Sequence, residues 1–275
     1  MNNSSAKKIL VTLYGLGFLG LLIGTFYDLQ INDLLYARGS LFPNFFKLTG
    51  EIPMTILMIA CSLNILAYNK SPIKYLALVP LLAFGISSGF TVLKYFDIVN
   101  LPISIGLSIT YYILGYLVFV YMRRFEKSSL LKFSYFAILA VVITLASKSL
   151  MKSIWGRERY FSLLTKGSFA NFTQWYLPQG YSPGDEFRSF PSGHSASGAT
   201  MLTLLFLPNS ERKNQLIRVF AISWPLLVMA SRIFDGAHYI SDVCGGLIVA
   251  LTGILIARAI INKIYNKKEN NVRVN

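Results

Sequence analysis

Long apolar runs, more than any local motif, limit what this chain can fold into. Eight segments, at roughly 8–27, 53–69, 75–93, 101–122, 131–150, 193–208, 216–232 and 239–262, are apolar for long enough to cross a bilayer or nearly so. A hydrocarbon core of about 30 Å takes about 20 helical residues, and the backbone inside it must satisfy its own hydrogen bonds. No strand alternation competes with these runs. The sequence therefore predicts an all-α integral membrane helical bundle of about eight transmembrane helices. Of the 275 residues, 54% are hydrophobic and 14% charged, and the mean hydropathy is +0.52. A water-soluble domain of this length is much less apolar.

A formal net charge of +14 raises the question of nucleic acid. The basic residues, however, lie in short clusters between apolar runs and not along one face, which points to charged loops at a bilayer surface and to no nucleic-acid partner. Cys61 and Cys244 both fall inside apolar runs without a His or Cys at metal-ligand spacing, and read as small buried hydrophobes. The basic start followed by Ile9 to Tyr27 lacks a small-residue cleavage site, so a retained first span is expected over a signal peptide. Gly15, Gly17 and Gly20 spell a dinucleotide-type GxGxxG, but no strand precedes them and no acidic residue follows at the required distance. Small residues for close helix packing explain them better.

Orientation follows from the basic loops. With the N-terminus inside, the inner loops carry Lys7 and Lys8, Lys70 and Lys74, the group from Arg123 to Lys132, then Arg212, Lys213 and Arg218, and finally Lys263, Lys267, Lys268 and Arg273. The early outer loops carry Arg38, Lys47 and Lys94. The positive-inside rule then places both termini in the cytoplasm and the long segment 151–192 outside. That segment breaks the rule with Lys152, Arg157, Arg159, Lys166 and Arg188, so its charges have another use. It is also rich in aromatic residues, among them Phe169, Phe172, Trp175, Tyr176, Tyr181 and Phe190, as expected of a cap lying in the interface with its rings at headgroup depth.

Three polar clusters converge on that outer face. In KSIWGRER, Lys152 and Arg159 are seven positions apart, two helical turns if the helix persists, and Arg157 offers a third cation. Fixed cations at a membrane face suit a phosphate, whose oxygens guanidinium binds as a fork. In FPSGHSAS, Ser192 and Gly193 open a helix where free amides and the dipole favour an anion, and His194 stands beside it as a proton donor. In SRIFDGAHYISD, His238 and Asp242 are four apart and face each other across one turn, Arg232 adds a cation, and Asp235 is a competing carboxylate. A carboxylate on one imidazole nitrogen leaves the other free as base or nucleophile. The chain has two histidines, and each lies in one of these clusters.

Lys152 with Arg159, Pro-Ser-Gly-His at 191–194, and Ser231-Arg232 with His238 and Asp242 together resemble, in order and spacing, the three-part signature of the type 2 phosphatidic acid phosphatase (PAP2) family, part of a superfamily that includes vanadium-dependent haloperoxidases. One departure is Tyr160 where the first motif usually has proline. The resemblance implies a phosphohistidine mechanism without metal or other cofactor: His238 attacks phosphorus, Asp242 orients it, and His194 protonates the leaving oxygen. Lys152, Arg159, Arg232, Ser192 and the Gly193 amide hold the phosphate oxygens. It also divides the chain into 1–150, five membrane helices of unassigned role, and 151–275, a catalytic part with the extracytoplasmic loop 151–192 and three spans. The expected activity is removal of a phosphate or diphosphate headgroup from a lipid at the outer face of the cytoplasmic membrane. An isoprenyl diphosphate leads over phosphatidylglycerophosphate, phosphatidate and lipid A phosphates, and a phosphotransferase using an alcohol acceptor is the alternative.

Overall fold

The computed structural model describes residues 3–94, 100–208 and 215–274. Among them are ten α-helices: α1 (Asn3–Leu35), α2 (Leu41–Thr49), α3 (Ile52–Tyr68), α4 (Leu78–Lys94), α5 (Leu101–Met122), α6 (Lys127–Trp155), α7 (Tyr160–Lys166), α8 (Gly193–Ala199), α9 (Gln215–Phe234) and α10 (Ile240–Val274). Their boundaries follow local chemistry. The Asn100 side chain accepts the Ile103 amide and Pro102 opens α5, while Glu126 accepts the amides of Ser128 and Ser129 at the start of α6. α6 stops at Trp155 because Gly156 turns to φ +57, and a side chain there would stand 2.3 Å from the Gly180 carbonyl oxygen.

The chain is an all-α membrane bundle. Seven helical stretches among the described residues are long and apolar enough to cross a membrane. The eighth expected span, 193–208, departs from the sequence reading. It forms the short α8 and then a 3-10 coil, Thr200–Phe206, nearly all of it buried. It still runs through the bundle interior. Its first residues lie against Lys148 and Gly246, and its last against Phe136 and Arg258. A 3-10 coil rises about 2.0 Å per residue against about 1.5 Å for an α-helix, so few residues reach far. Shielded by α6, α9 and α10, this segment needs no lipid-facing surface, and its buried hydroxyls bond to its own backbone: Thr200 to the Ser197 carbonyl and Thr203 to that of Thr200.

α10 forms the axis, packed against α6, α1 and α8, while α9 covers α8 and α2. α1 approaches α10 closely at Gly20, where a Cβ would sit 2.2 Å from Cys244 Sγ. Gly15 faces open space, so only part of the GxGxxG pattern serves packing. Both cysteines are buried and free. α3 ties this group to α4 and α5. The most apolar windows of α4 and α5 are 22% buried, against 61% for the stretches holding α3 and α10, which puts α4 and α5 at the periphery.

The segment after α6 does cap one end of the bundle, but several of its rings turn inward instead of outward. Trp175 donates to the Leu21 carbonyl at 3.1 Å and the Thr25 hydroxyl at 3.0 Å, Trp155 and Trp175 both pack on Phe190, and Phe172 meets Tyr239 edge-on. These indoles have carbonyls and hydroxyls of the protein within reach, so they need no headgroup to satisfy them. Of the residues used to orient the chain, Arg212 and Lys213 lie outside the described residues, as do the side chains of Lys94, Lys268 and Arg273.

Candidate active site

The last turn of α6, the chain from Gly156 to Arg159, the start of α8 and the corner between α9 and α10 meet beneath the cap. Main-chain bonds assemble them. The amide of Ser192 donates to the Asp242 carbonyl at 2.9 Å, that of Ser189 to Arg157 at 3.0 Å, that of Arg159 to Glu186 at 2.8 Å and that of His238 to Arg232 at 3.2 Å. Lys152 donates its ammonium to the Arg188 carbonyl. The helical continuity expected from Lys152 to Arg159 is broken at Gly156, and Arg159 stands just ahead of α7 without bonding to its first turn through its side chain. The turn nevertheless returns Arg159 to the same site, where both cations act on His238.

His238 precedes the first turn of α10, and its Nδ1 lies 3.6 Å from Asp242 Oδ2. Asp242 is fully buried and held from three sides. Its Oδ2 accepts the Tyr239 amide at 2.9 Å and the Ser189 hydroxyl, and its Oδ1 accepts Arg157 at 2.6 Å. The bond to the Tyr239 amide is half of a capping box, so the residue that orients the histidine also starts the helix. Burial, reinforced by the Lys152 and Arg159 cations and opposed by Asp242, pushes the His238 imidazole down to about 3. It is therefore neutral at physiological pH, with one nitrogen directed at a carboxylate, as a nucleophile requires.

Arg157 is not placed to meet a phosphate. Its side chain is fully buried, and every nitrogen is occupied: NH2 on Asp28 at 2.8 Å, NH1 on Asp242 at 2.6 Å and Ser241 at 2.8 Å, Nε on the Thr173 carbonyl at 2.8 Å. Removing one partner of such a buried pair costs about 3–5 kcal/mol, because the remaining charge is left uncompensated. Asp28 comes from α1, and Asn32, one turn later, donates to the His238 carbonyl at 3.2 Å. The first helix thus supports His238 and its carboxylate partner, although the sequence reading assigned that half no site. A lone acidic residue near the end of an apolar run was the available signal.

The other histidine sits differently. His194 is half-buried, with Nε2 3.2 Å from the Lys47 carbonyl oxygen, and Glu51, Arg232 and Lys148 are the charged groups around it. Lys148 lies 3.6 Å from Glu51 and donates to Ser197 at 2.9 Å. Neither Glu51 nor Lys148 was singled out in the sequence, though Lys148 stands one turn before Lys152. Ser192 is buried and caps α8, its hydroxyl oxygen 2.8 Å from that of Ser195. A Cβ on Gly193 would be 3.5 Å from the Lys152 side chain and 3.8 Å from that of Lys148, so both lysines border the turn. Arg232 donates to the Pro43 carbonyl at 2.7 Å and pairs with Asp235 at 3.3 Å, which removes Asp235 as a rival partner for His238. Arg159 pairs at 2.7 Å with Asp185, whose side chain is 77% exposed.

Among the described residues no group of three or more His, Cys, Asp or Glu is arranged to hold a metal ion. A membrane bundle that holds a neutral histidine against a locked carboxylate, with lysine and arginine facing the same corner, has the equipment of a phosphoryl-transfer protein. The PAP2 superfamily model matches residues 129–266, half of the chain, and the chain belongs to that superfamily, in which phosphatases are general. The match begins before residue 151 and so takes in nearly all of α6 as well as α7, α8, α9 and most of α10. Neither the curated proteins nor the solved structures include a match.

Proposed function

We propose that the protein removes a phosphate or diphosphate headgroup from a membrane lipid through a phosphohistidine formed on His238. The observation that carries this reading is the His238–Asp242 pair at 3.6 Å, with the carboxylate fixed by Arg157, Ser189 and the Tyr239 amide. Nε2 of neutral His238 attacks phosphorus and the bond from phosphorus to the leaving oxygen breaks. Asp242 stabilises the positive imidazole that results. Burial disfavours the charged form of His194 and Glu51 opposes this; the bound phosphate dianion beside it adds to the Glu51 effect, and the imidazolium so favoured gives its proton to the leaving oxygen. In the second half, His194 accepts a proton from water as that water attacks phosphorus, the P–N bond breaks, phosphate departs and His238 returns neutral.

Lys152 and Arg159 hold the equatorial oxygens, where transition-state charge is spread, with Ser192, the Gly193 amide and Arg232 completing the cradle. The exposed Asp185 carboxylate paired with Arg159 competes with such an oxygen for the guanidinium. Arg159 is 16% and Asp185 77% exposed, so water screens the pair from the Asp185 side, and a phosphate competes there. The distribution of basic loops supports a site on the outer face of the cytoplasmic membrane.

The test is phosphate release by purified protein in detergent with EDTA present, on undecaprenyl diphosphate, phosphatidylglycerophosphate, phosphatidate and lipid A side by side, with His238→Ala as control. Release that persists in EDTA and falls by about 10⁴-fold or more in folded His238→Ala is expected. Activity surviving in that variant would sink the mechanism.

A further inference from the structure

Tyr160 stands where the first motif usually has proline, and the mechanism above gives it no task. It follows directly on Arg159, the cation assigned to phosphate, and opens α7. At a helix start a proline fixes φ and gives up only an amide that has no partner inside the helix. Tyrosine puts no such restraint on the backbone. What it offers instead is a side chain 2% exposed, with contacts on both sides of the site.

Toward α1, the Tyr160 hydroxyl donates to Asp33 Oδ1, and its ring meets Tyr36 edge-on at 5.5 Å. Arg38, just past α1, lies 3.8 Å over the neighbouring Phe161 ring and ties the same two elements again. Toward His238, the Tyr160 ring stands edge-on to Tyr239 at 6.4 Å, and the Phe161 amide donates to the Gly236 carbonyl at 3.0 Å. Gly236 itself, at φ +63, has no room for a side chain: a Cβ would stand 2.6 Å from the Tyr36 ring and 3.1 Å from that of Tyr160. Gly236 and Tyr239 flank His238 in the chain, so Tyr160 lies between Arg159 and the turn that carries the histidine. α7 has seven residues, too few to hold a helix by itself, and the Arg159 carbonyl accepts the amides of Ser162 at 3.1 Å and Leu163 at 3.2 Å. Whatever fixes α7 therefore fixes Arg159.

We propose that Tyr160, tethered by Asp33, is a positioning residue that sets Arg159 relative to His238, a contact with α1 taking over the restraint that a proline would supply. The proposal rests on the phosphohistidine reading, in which Arg159 holds a phosphoryl oxygen. It gives α1, which lies outside residues 129–266, a second task. Asp28 and Asn32 support the nucleophile and its carboxylate, and Asp33, one residue on, sets the cation that faces them.

The experiment measures kcat/KM of full-length protein in detergent on whichever of the four lipids above it turns over fastest. Tyr160→Phe keeps the ring and deletes only the hydroxyl, and Asp33→Ala deletes the acceptor. Each should lower kcat/KM about five- to fiftyfold, and the double variant should lose no more than either alone. Asp33→Asn, which still offers the phenol an oxygen, should stay within about threefold of the unaltered protein. The deciding measurement repeats Tyr160→Phe in an Arg159→Ala background, where the hydroxyl has no cation left to set and its loss should change the residual activity by less than about twofold. A tyrosine that served stability alone would cost the same factor with Arg159 or without it. That result, or Tyr160→Phe within about twofold of the unaltered protein, overturns the proposal. If the unaltered protein turns over none of the lipids, the phosphatase reading fails separately, and the same variants are compared by equilibrium binding of inorganic phosphate. Weaker binding in Tyr160→Phe that disappears in the Arg159→Ala background supports the proposal, and unchanged binding or a loss independent of Arg159 overturns it.

Discussion

The two histidines of the site stand in opposite surroundings. His238 is buried against a carboxylate whose every approach is filled by Arg157, Ser189 and a backbone amide, and behind these Asp28 closes the chain of charges. His194 is half-buried beside an open cavity, among charges that pair loosely, as in the 3.6 Å contact between Lys148 and Glu51. The difference is the one the proposed mechanism asks for. A nucleophile attacks one atom, phosphorus, in every turnover, and gains from rigid preorganisation. A proton donor must meet a leaving alcohol first and a water afterwards, and needs space for both.

Arg157→Met should break the rigid side most severely. It leaves the Asp28 and Asp242 carboxylates buried without a cation between them, and the expected cost is about 3–5 kcal/mol of stability. Activity should fall about 10³-fold or more, because the carboxylate that orients His238 is no longer held. Adding Asp28→Asn removes one of the stranded charges, so the double variant should recover much of the melting temperature but little of kcat. Recovery of both would mean that Arg157 acts on stability alone.

His194→Ala probes the open side, and its effect should depend on the leaving group. A general acid contributes about 10²–10⁴-fold when the departing oxygen is basic. A lipid phosphate should therefore lose activity in that range, and 4-nitrophenyl phosphate, whose leaving oxygen needs no proton, should lose less than about tenfold. Equal losses on both would return His194 to a structural role and erase the contrast between the two sides.

How legible these sides were in the sequence also differs. Lys152, Arg159, Ser192 to His194, Arg232, His238 and Asp242 stand out because they repeat a motif of fixed residue types at fixed spacing. The structure brings them to one corner even where the expected helix from Lys152 to Arg159 is interrupted at Gly156. The long apolar runs announced the bundle. The buried segment 193–206 was misjudged because apolar length measures contact with lipid, and this stretch has almost none. Asp28, Glu51 and Lys148 went unread for another reason: their partners come from helices far away in the chain, and spacing carries no information about contacts of that kind. Arg157 was visible as a cation, but whether a cation faces a ligand or a buried carboxylate is decided by tertiary packing.

A smaller effect concerns pH. The folded protein holds His238 at about 3, below the ordinary 6.5, so the unfolded chain binds a proton there more readily. The stability linked to this group is fully present above about pH 6.5 and is lost progressively as pH falls toward 3. Melting temperatures recorded from pH 8 to pH 4 should decline on the acid side, and His238→Gln should flatten that decline. The same displacement keeps His238 neutral near neutral pH, as the proposed attack requires. An acid limb of kcat/KM near pH 6.5 that belonged to His238 would contradict it.

The smallest effect is expected at the rim, where Arg159 holds the exposed Asp185. If that carboxylate stands where a phosphate oxygen binds, Asp185→Asn removes a competitor without touching the dry network behind His238. KM should fall by about threefold or less, kcat should stay level, and the melting temperature should move little, since water already screens the Asp185 side of the pair. A rise in KM would mean instead that Asp185 positions Arg159 for the substrate. The rigid region would then extend from the nucleophile out to the rim, leaving the His194 cavity as the one adaptable part of the site.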